Sequence, residues 1–146
     1  MSLSALAPIH KSLTLDCNVE DAFRRFTDGL STWWPLTTHS VIGEDTEWIG
    51  FTEGRLIERS RSGAEAIWGD VLVWESPHRV ALTWHPGHPD SEATEVEVQF
   101  APSDEGTSVE FEHRGWERIG ERGAEERQNH DEAWETVLAL YARSGM

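Results

Sequence analysis

An α+β fold is predicted for this 146-residue chain: a curved antiparallel sheet wrapped around a long C-terminal helix, with two short helices after the first strand. Two features of the sequence point to it. Period-two segments separated by turn residues fill the middle of the chain, and one long amphipathic stretch closes it. A sheet with one dry face and a helix with one dry stripe bury both surfaces when the sheet wraps the helix. A lipocalin-like barrel is the main competitor, and the helical segments directly after the first strand argue against it.

The first strand is expected over residues 9–15, where Leu13 and Leu15 share one face and Ser12 and Thr14 the other. Asn18 reads as a helix cap, because Val19, Ala22, Phe23 and Phe26 follow it at helical spacing and Gly29 offers a stop. A shorter helical turn runs from Ser31 through Trp33 and Trp34 to Pro35, which bends or ends it. Strands are then expected over residues 48–51, 54–59, 66–74, 79–84, 94–100 and 107–113. Ser62-Gly63, Ser76-Pro77, Pro86-Gly87 and Glu105-Gly106 punctuate them. In the last two strands Val96, Val98 and Phe100 alternate with Glu95, Glu97 and Gln99, and Val109 and Phe111 with Glu110 and Glu112. One face of the sheet is therefore wet and the other dry. In the strand 66–74, Trp68 and Trp74 oppose Val71 and Val73 in parity, so alternation leaves its inward face open. The closing helix is expected over residues 124–143, with Trp134, Val137, Leu138 and Tyr141 on one stripe. The chain length suits a single domain spanning 1–146.

Charge narrows the partners. Against 12 basic residues stand 27 acidic ones, a formal net charge of −15, so the mean field repels phosphate backbones and anionic lipid. No nucleic-acid or membrane partner is expected, and at physiological salt neither DNA nor anionic vesicles should bind; micromolar affinity in a titration of either would refute this. No basic leader with an apolar core begins the sequence, and the single cysteine, Cys17, has no intramolecular partner, which together predict a cytoplasmic protein. Cys17 falls between strand and helix cap and reads as a buried spacer. Eight tryptophans concentrate large flat side chains inside, as core or as the wall of a cavity.

Several segments resemble a known family. Gly54-Arg55 with Glu58-Arg59, WGDVLVWESPHRVALTWH at 68–85, TEVEVQF at 94–100, GTSVEFEHRGWERIG at 106–120 and the helix carrying Trp134 are similar to the SRPBCC (START-like, Bet v-like, helix-grip) superfamily. Within it they look most like bacterial relatives of the activator of heat shock protein 90 ATPase. The STWWP stretch resembles the same family's first connection. The resemblance implies a cavity between sheet and long helix, used across the superfamily for lipids, polyketides, plant hormones or aromatic compounds. It fixes no ligand and does not by itself establish chaperone activation.

Periodicity turns Phe23, Phe26, Trp33, Trp34, Trp84, Phe100, Phe111, Trp134 and Tyr141 inward, as candidate cavity walls. For any one of them ordinary core is the default, and only their number points to a cavity. His113 shares the dry face with Val109 and Phe111, and His130 lies four residues before Trp134 on the helix's inward stripe. Two imidazoles bordering one cavity, with Tyr141, suit a ligand's polar end or proton transfer near neutral pH; the alternative is a pair satisfied by backbone or water at the rim. His85, His88 and Asp90 in HPGHPD have metal-ligating chemistry but sit in a Pro/Gly-rich turn without a fourth ligand, so no metal is expected. No Walker loop, dinucleotide fingerprint or nucleophile elbow is present, and no cofactor is expected. The acidic run 121–135 reads as a solvated helix face, or as a dock for a basic partner. The expected function is binding of a small apolar or aromatic molecule. The alternatives are a co-chaperone-like module with a protein partner, and a cyclase- or lyase-type enzyme using the same cavity.

Overall fold

The computed structural model describes residues 6–144. The chain runs β1 (Ile9–Leu15), α1 (Val19–Phe26), α2 (Leu30–Trp33), β2 (Thr46–Thr52), β3 (Arg55–Ser60), β4 (Glu65–Glu75), β5 (Arg79–Trp84), β6 (Thr94–Ser103), β7 (Gly106–Arg114) and α3 (Gly123–Arg143), with 3-10 turns at Asp90–Glu92 and Trp116–Arg122. All seven strands form one curled sheet in the order β1-β7-β6-β5-β4-β3-β2, and every neighbouring pair is antiparallel. β1 and β2 are therefore opposite edges, and the α1–α2 pair that joins them crosses the concave side, with α1 against β6 and β7 and α2 against β2. The long α3 packs against β1 in the same hollow.

Local chemistry explains the element ends. The Asn18 side chain accepts from the Asp21 amide at 2.8 Å and starts α1, whose buried residues are Val19, Ala22, Phe23 and Phe26. Ser31 staples α2 to β2 by donating to the Ile49 carbonyl and accepting from the Ile49 amide, both at 2.7 Å. The alternation in β6 and β7 is realised: Val96, Val98, Phe100, Val109, Phe111 and His113 are buried, and the intervening charged residues face out. On that outer face Glu97 takes hydrogen bonds from Arg79 and from Arg114, the latter at 2.8 Å. Burial works to raise its pKa, but the two guanidiniums outweigh it and hold the carboxyl at about 2.

β4 breaks the simple alternation. Its register slips against β3 between the pairs Leu56–Gly69 and Ile57–Ile67, and against β5 between Val71 and Val73. Trp68 consequently turns into the core at 1 % exposure, whereas Trp74 stays 45 % exposed at the rim, packed edge-on against Phe23 and Phe51. Opposite that first slip, on its other side, β4 nearly touches β5: a Cβ on Gly69 would lie 1.7 Å from the Thr83 carbonyl oxygen, so only glycine fits. The left-handed Gly115 (φ 96°) then turns the chain out of β7 and seats Trp116, which sequence reasoning overlooked, fully inside the core.

Candidate functional site

Four tryptophans, each from a different element of the fold, meet in a closed cycle. Trp34 follows α2, Trp68 lies on β4, Trp84 ends β5 and Trp134 sits on α3. Ring centroids are 5.3 Å apart for Trp34–Trp68, 5.3 Å for Trp68–Trp84, 5.1 Å for Trp84–Trp134 and 5.8 Å for Trp134–Trp34. The arrangements are tilted or edge-to-face, which suits the ring quadrupoles. These rings wall a pocket of about 230 Å³, completed by Thr38, His39, Ser40 and Val41 from the loop after α2, by Pro86, and by His130, Ala133 and Val137 from α3. Beside it a cleft of about 20 Å³ shares Trp84, Pro86 and His130 and continues to His85, His88, Glu92, Trp116 and Glu126.

A buried carboxylate fixes the loop that forms one side of this pocket. Glu58 on β3 has no exposure, and no cation pairs with it among the described residues. Its Oε1 accepts from the Val41 amide at 2.8 Å and from Trp68 Nε1 at 3.0 Å. Its Oε2 accepts from the Ile42 amide at 2.8 Å and from the Thr46 hydroxyl at 2.5 Å. Burial works to raise the pKa of this group, but the four donors outweigh it and hold the carboxyl below the usual carboxylate range. One side chain thus ties together the pocket loop, β2 and the indole of Trp68.

His113 is inward, as alternation predicts, but it lies behind the pocket wall. Trp134 Nε1 can only donate, so the 3.0 Å contact makes His113 Nδ1 the acceptor. The proton then sits on Nε2 and is donated to the Thr94 hydroxyl at 2.6 Å, which in turn donates to the Trp84 carbonyl at 3.2 Å. Both ring nitrogens are engaged and the ring is fully buried, and burial, with His130 beside it, pushes its pKa well below the ordinary histidine value. This is a structural histidine that orients Trp134.

His130 reaches the pocket. Its Nδ1 donates to the Glu126 carbonyl at 2.8 Å, which leaves Nε2 as an acceptor in the neutral ring. Burial lowers its pKa, against the opposing pull of Glu126. His39, on the loop opposite, hydrogen-bonds Thr38 through Nδ1 at 2.9 Å.

The structure therefore gathers only part of the expected set. Trp34, Trp84, His130 and Trp134 line the pocket. Phe26, Trp33, Phe100 and Tyr141 instead pack ring against ring in a second cluster with Phe23, with Phe26–Tyr141 at 5.3 Å, Trp33–Tyr141 at 5.0 Å and Phe23–Phe100 at 5.3 Å. The Tyr141 hydroxyl is spent on the Ala22 carbonyl at 2.6 Å, so it is a core tie and not a free polar anchor. Phe111 packs behind Trp134 at 4.5 Å and has no exposure. Alternation reports which way a side chain points, not where the interior is hollow. In HPGHPD, His85 Nδ1 contacts the His88 carbonyl at 3.0 Å, and no group of three or more metal-ligating side chains is assembled among the described residues. Cys17 is half-buried, and burial raises its thiol pKa. Among the described residues no helix is long and apolar enough to cross a membrane.

Comparison with known proteins agrees with this architecture. The family described as Activator of Hsp90 ATPase homolog 1-like protein matches residues 16–141. Among solved structures, the anthrahydroquino-gamma-pyrone synthase Txn09, solved as a complex, is 30 % identical, with 92 % of this chain and 94 % of that one covered and a TM-score of 0.60. The self-sacrificing resistance protein CalC from Micromonospora echinospora shares 22 % identity over 96 % of this chain and 94 % of its own, with a TM-score of 0.73. The Aha1 dimer from Colwellia psychrerythraea shares 18 % identity over 93 % of each chain, with a TM-score of 0.66. No curated protein matches the sequence. With the family matched from the end of β1 to the last turns of α3, and with the curled seven-stranded sheet holding a long C-terminal helix, the chain belongs to the Activator of Hsp90 ATPase homolog 1-like family of the helix-grip fold.

Proposed function

We propose that this chain binds a small aromatic or apolar molecule between the sheet and α3, against Trp34, Trp68, Trp84 and Trp134. The observation that carries the reading is the four-indole cycle opening on a pocket of about 230 Å³ between sheet and α3. Flat indole faces offer large contact area with little conformational entropy to lose on binding. The relative Txn09, an anthrahydroquino-gamma-pyrone synthase, supports an aromatic occupant. Ala133 offers a clean test, because it lines the pocket from a half-exposed position on α3. Nile red should bind the wild-type protein saturably. Ala133→Phe should weaken that binding about tenfold or more while moving the denaturation free energy by about 0.5 kcal/mol or less. No saturable binding to the wild type, or equal binding to both, would count against the pocket.

A second reading, a protein-interaction module, has its own observation. Ile67 and Leu72 on β4 are large apolar side chains left 45 % and 52 % exposed. Under that reading Leu72→Glu abolishes partner binding and leaves Nile red binding untouched.

A further inference from the structure

Trp84 Nε1 is the single buried side-chain nitrogen or oxygen among the described residues without a hydrogen-bond partner in the protein. The surrounding polar groups show how unusual that is. The Trp33, Trp34, Trp68, Trp116 and Trp134 indoles all donate, to the Arg25 carbonyl, the His39 carbonyl, Glu58, the His113 carbonyl and His113 Nδ1. Trp84 is only 7 % exposed, and it lines both the pocket and the adjoining cleft, as Pro86 and His130 do. A buried N–H left without an acceptor is costly, and native structures seldom keep one without a use.

We infer that Trp84 is the specificity-determining residue of the proposed pocket, and that its indole N–H selects aromatic molecules carrying a carbonyl oxygen over the corresponding hydrocarbons. This rests on the binding reading above and adds the polar feature its ligand must have. The direction of the preference is diagnostic. A wholly apolar pocket favours the hydrocarbon, because a carbonyl must give up its water on entry and gains nothing in return. Only a donor inside the pocket reverses the order. The competing arrangement is a water in the 20 Å³ cleft, which has room for about one molecule and would take the same N–H in place of a ligand.

Fluorene and 9-fluorenone are the probes, since they share one flat tricyclic outline and differ at a carbonyl. Their dissociation constants are measured by equilibrium dialysis on wild type and Trp84→Phe, with far-UV circular dichroism to verify the fold of the variant. The wild type should hold 9-fluorenone about tenfold more tightly than fluorene, the size expected for one neutral hydrogen bond made in a buried site. In Trp84→Phe the ratio should fall to about one or invert, whatever happens to either affinity alone. Should the variant fail to fold, the wild-type ratio still decides. Fluorene bound as tightly as 9-fluorenone by the wild type overturns the inference while leaving the pocket standing, and so does a carbonyl preference that survives Trp84→Phe. Binding of neither probe removes the pocket reading and this inference together.

Discussion

Replacing Glu58 by glutamine should destabilise the protein by about 3–5 kcal/mol, although the two side chains have nearly the same shape. The reason is the donor count. Val41 N–H and Trp68 Nε1–H address one carboxylate oxygen, and Ile42 N–H and the Thr46 hydroxyl address the other. Turned one way, the glutamine NH2 group faces the Val41 and Trp68 N–H groups; turned the other, it faces the Ile42 N–H, while the Thr46 hydroxyl can reverse and accept, so at least one buried N–H loses its acceptor in either orientation. Each such loss costs about 1–3 kcal/mol, and the loss of the charge-assisted bonds adds to it. The measurement is a urea midpoint for wild type and Glu58→Gln, with hydrogen exchange of the Val41 and Ile42 amides. The variant should exchange both amides faster and bind Nile red more weakly, because the same bonds hold the loop that carries Thr38, His39, Ser40 and Val41 into the pocket. A midpoint within error of wild type would mean that the carboxylate is not the anchor of this loop.

The pH dependence separates two buried groups. Glu58 has a folded pKa below its unfolded value of about 4.3, so its contribution is complete above that pH and is lost as the pH falls through the folded pKa. His113 also has a depressed folded pKa, so the unfolded chain takes up its proton first, and stability begins to fall below about pH 6.5. Stability should therefore decline in two stages on acidification: a first to which His113 and the likewise depressed His130 contribute, reduced in variants that remove the His113 imidazole, and a second in which Glu58 is joined by Glu95 and Glu97.

Much of the fold was legible in the sequence because its elements obey simple periods. Asn18 with the four apolar residues behind it, the alternation in β6 and β7, and the Trp134–Tyr141 stripe each bury what their spacing says they should. β4 was not legible. Its two register slips arise from strand pairing and from the close approach at Gly69, neither of which a single-strand pattern contains. The site was legible to a smaller degree. Glu58 shares strand parity with the buried Leu56 and Ser60, a signal that a carboxylate faces inward. Nothing in sequence shows that the donors to satisfy it come from residues 41, 42, 46 and 68. The division of the aromatics into a Phe26–Tyr141 cluster and an indole cycle that opens on the pocket depends on how α2 and α3 meet over the sheet, and this is a tertiary property.

Trp134→Ala should cost about 3–5 kcal/mol even though one side of this indole borders the pocket. Bordering a cavity on its own argues for a smaller loss, since fewer contacts are broken on the open side. The structure adds a second consequence: Trp134 Nε1 is the donor to His113 Nδ1, and that nitrogen lies in a fully buried ring. Removing the indole leaves it unpaired as well as opening space against Phe111, whose ring centroid is 4.5 Å away. Trp134→Phe separates the two effects, because it keeps most of the packing and loses the N–H; about 1–3 kcal/mol is expected from the unpaired nitrogen. In that variant His113 Nδ1 is free to accept a proton, so the folded pKa rises toward the unfolded value and stability should fall less steeply between pH 7 and about 5. Urea midpoints for wild type, Trp134→Ala and Trp134→Phe across that range make the comparison. A neutral Trp134→Phe with an unchanged pH slope would show that the indole–imidazole bond contributes nothing, leaving packing alone to account for the cost of the alanine variant.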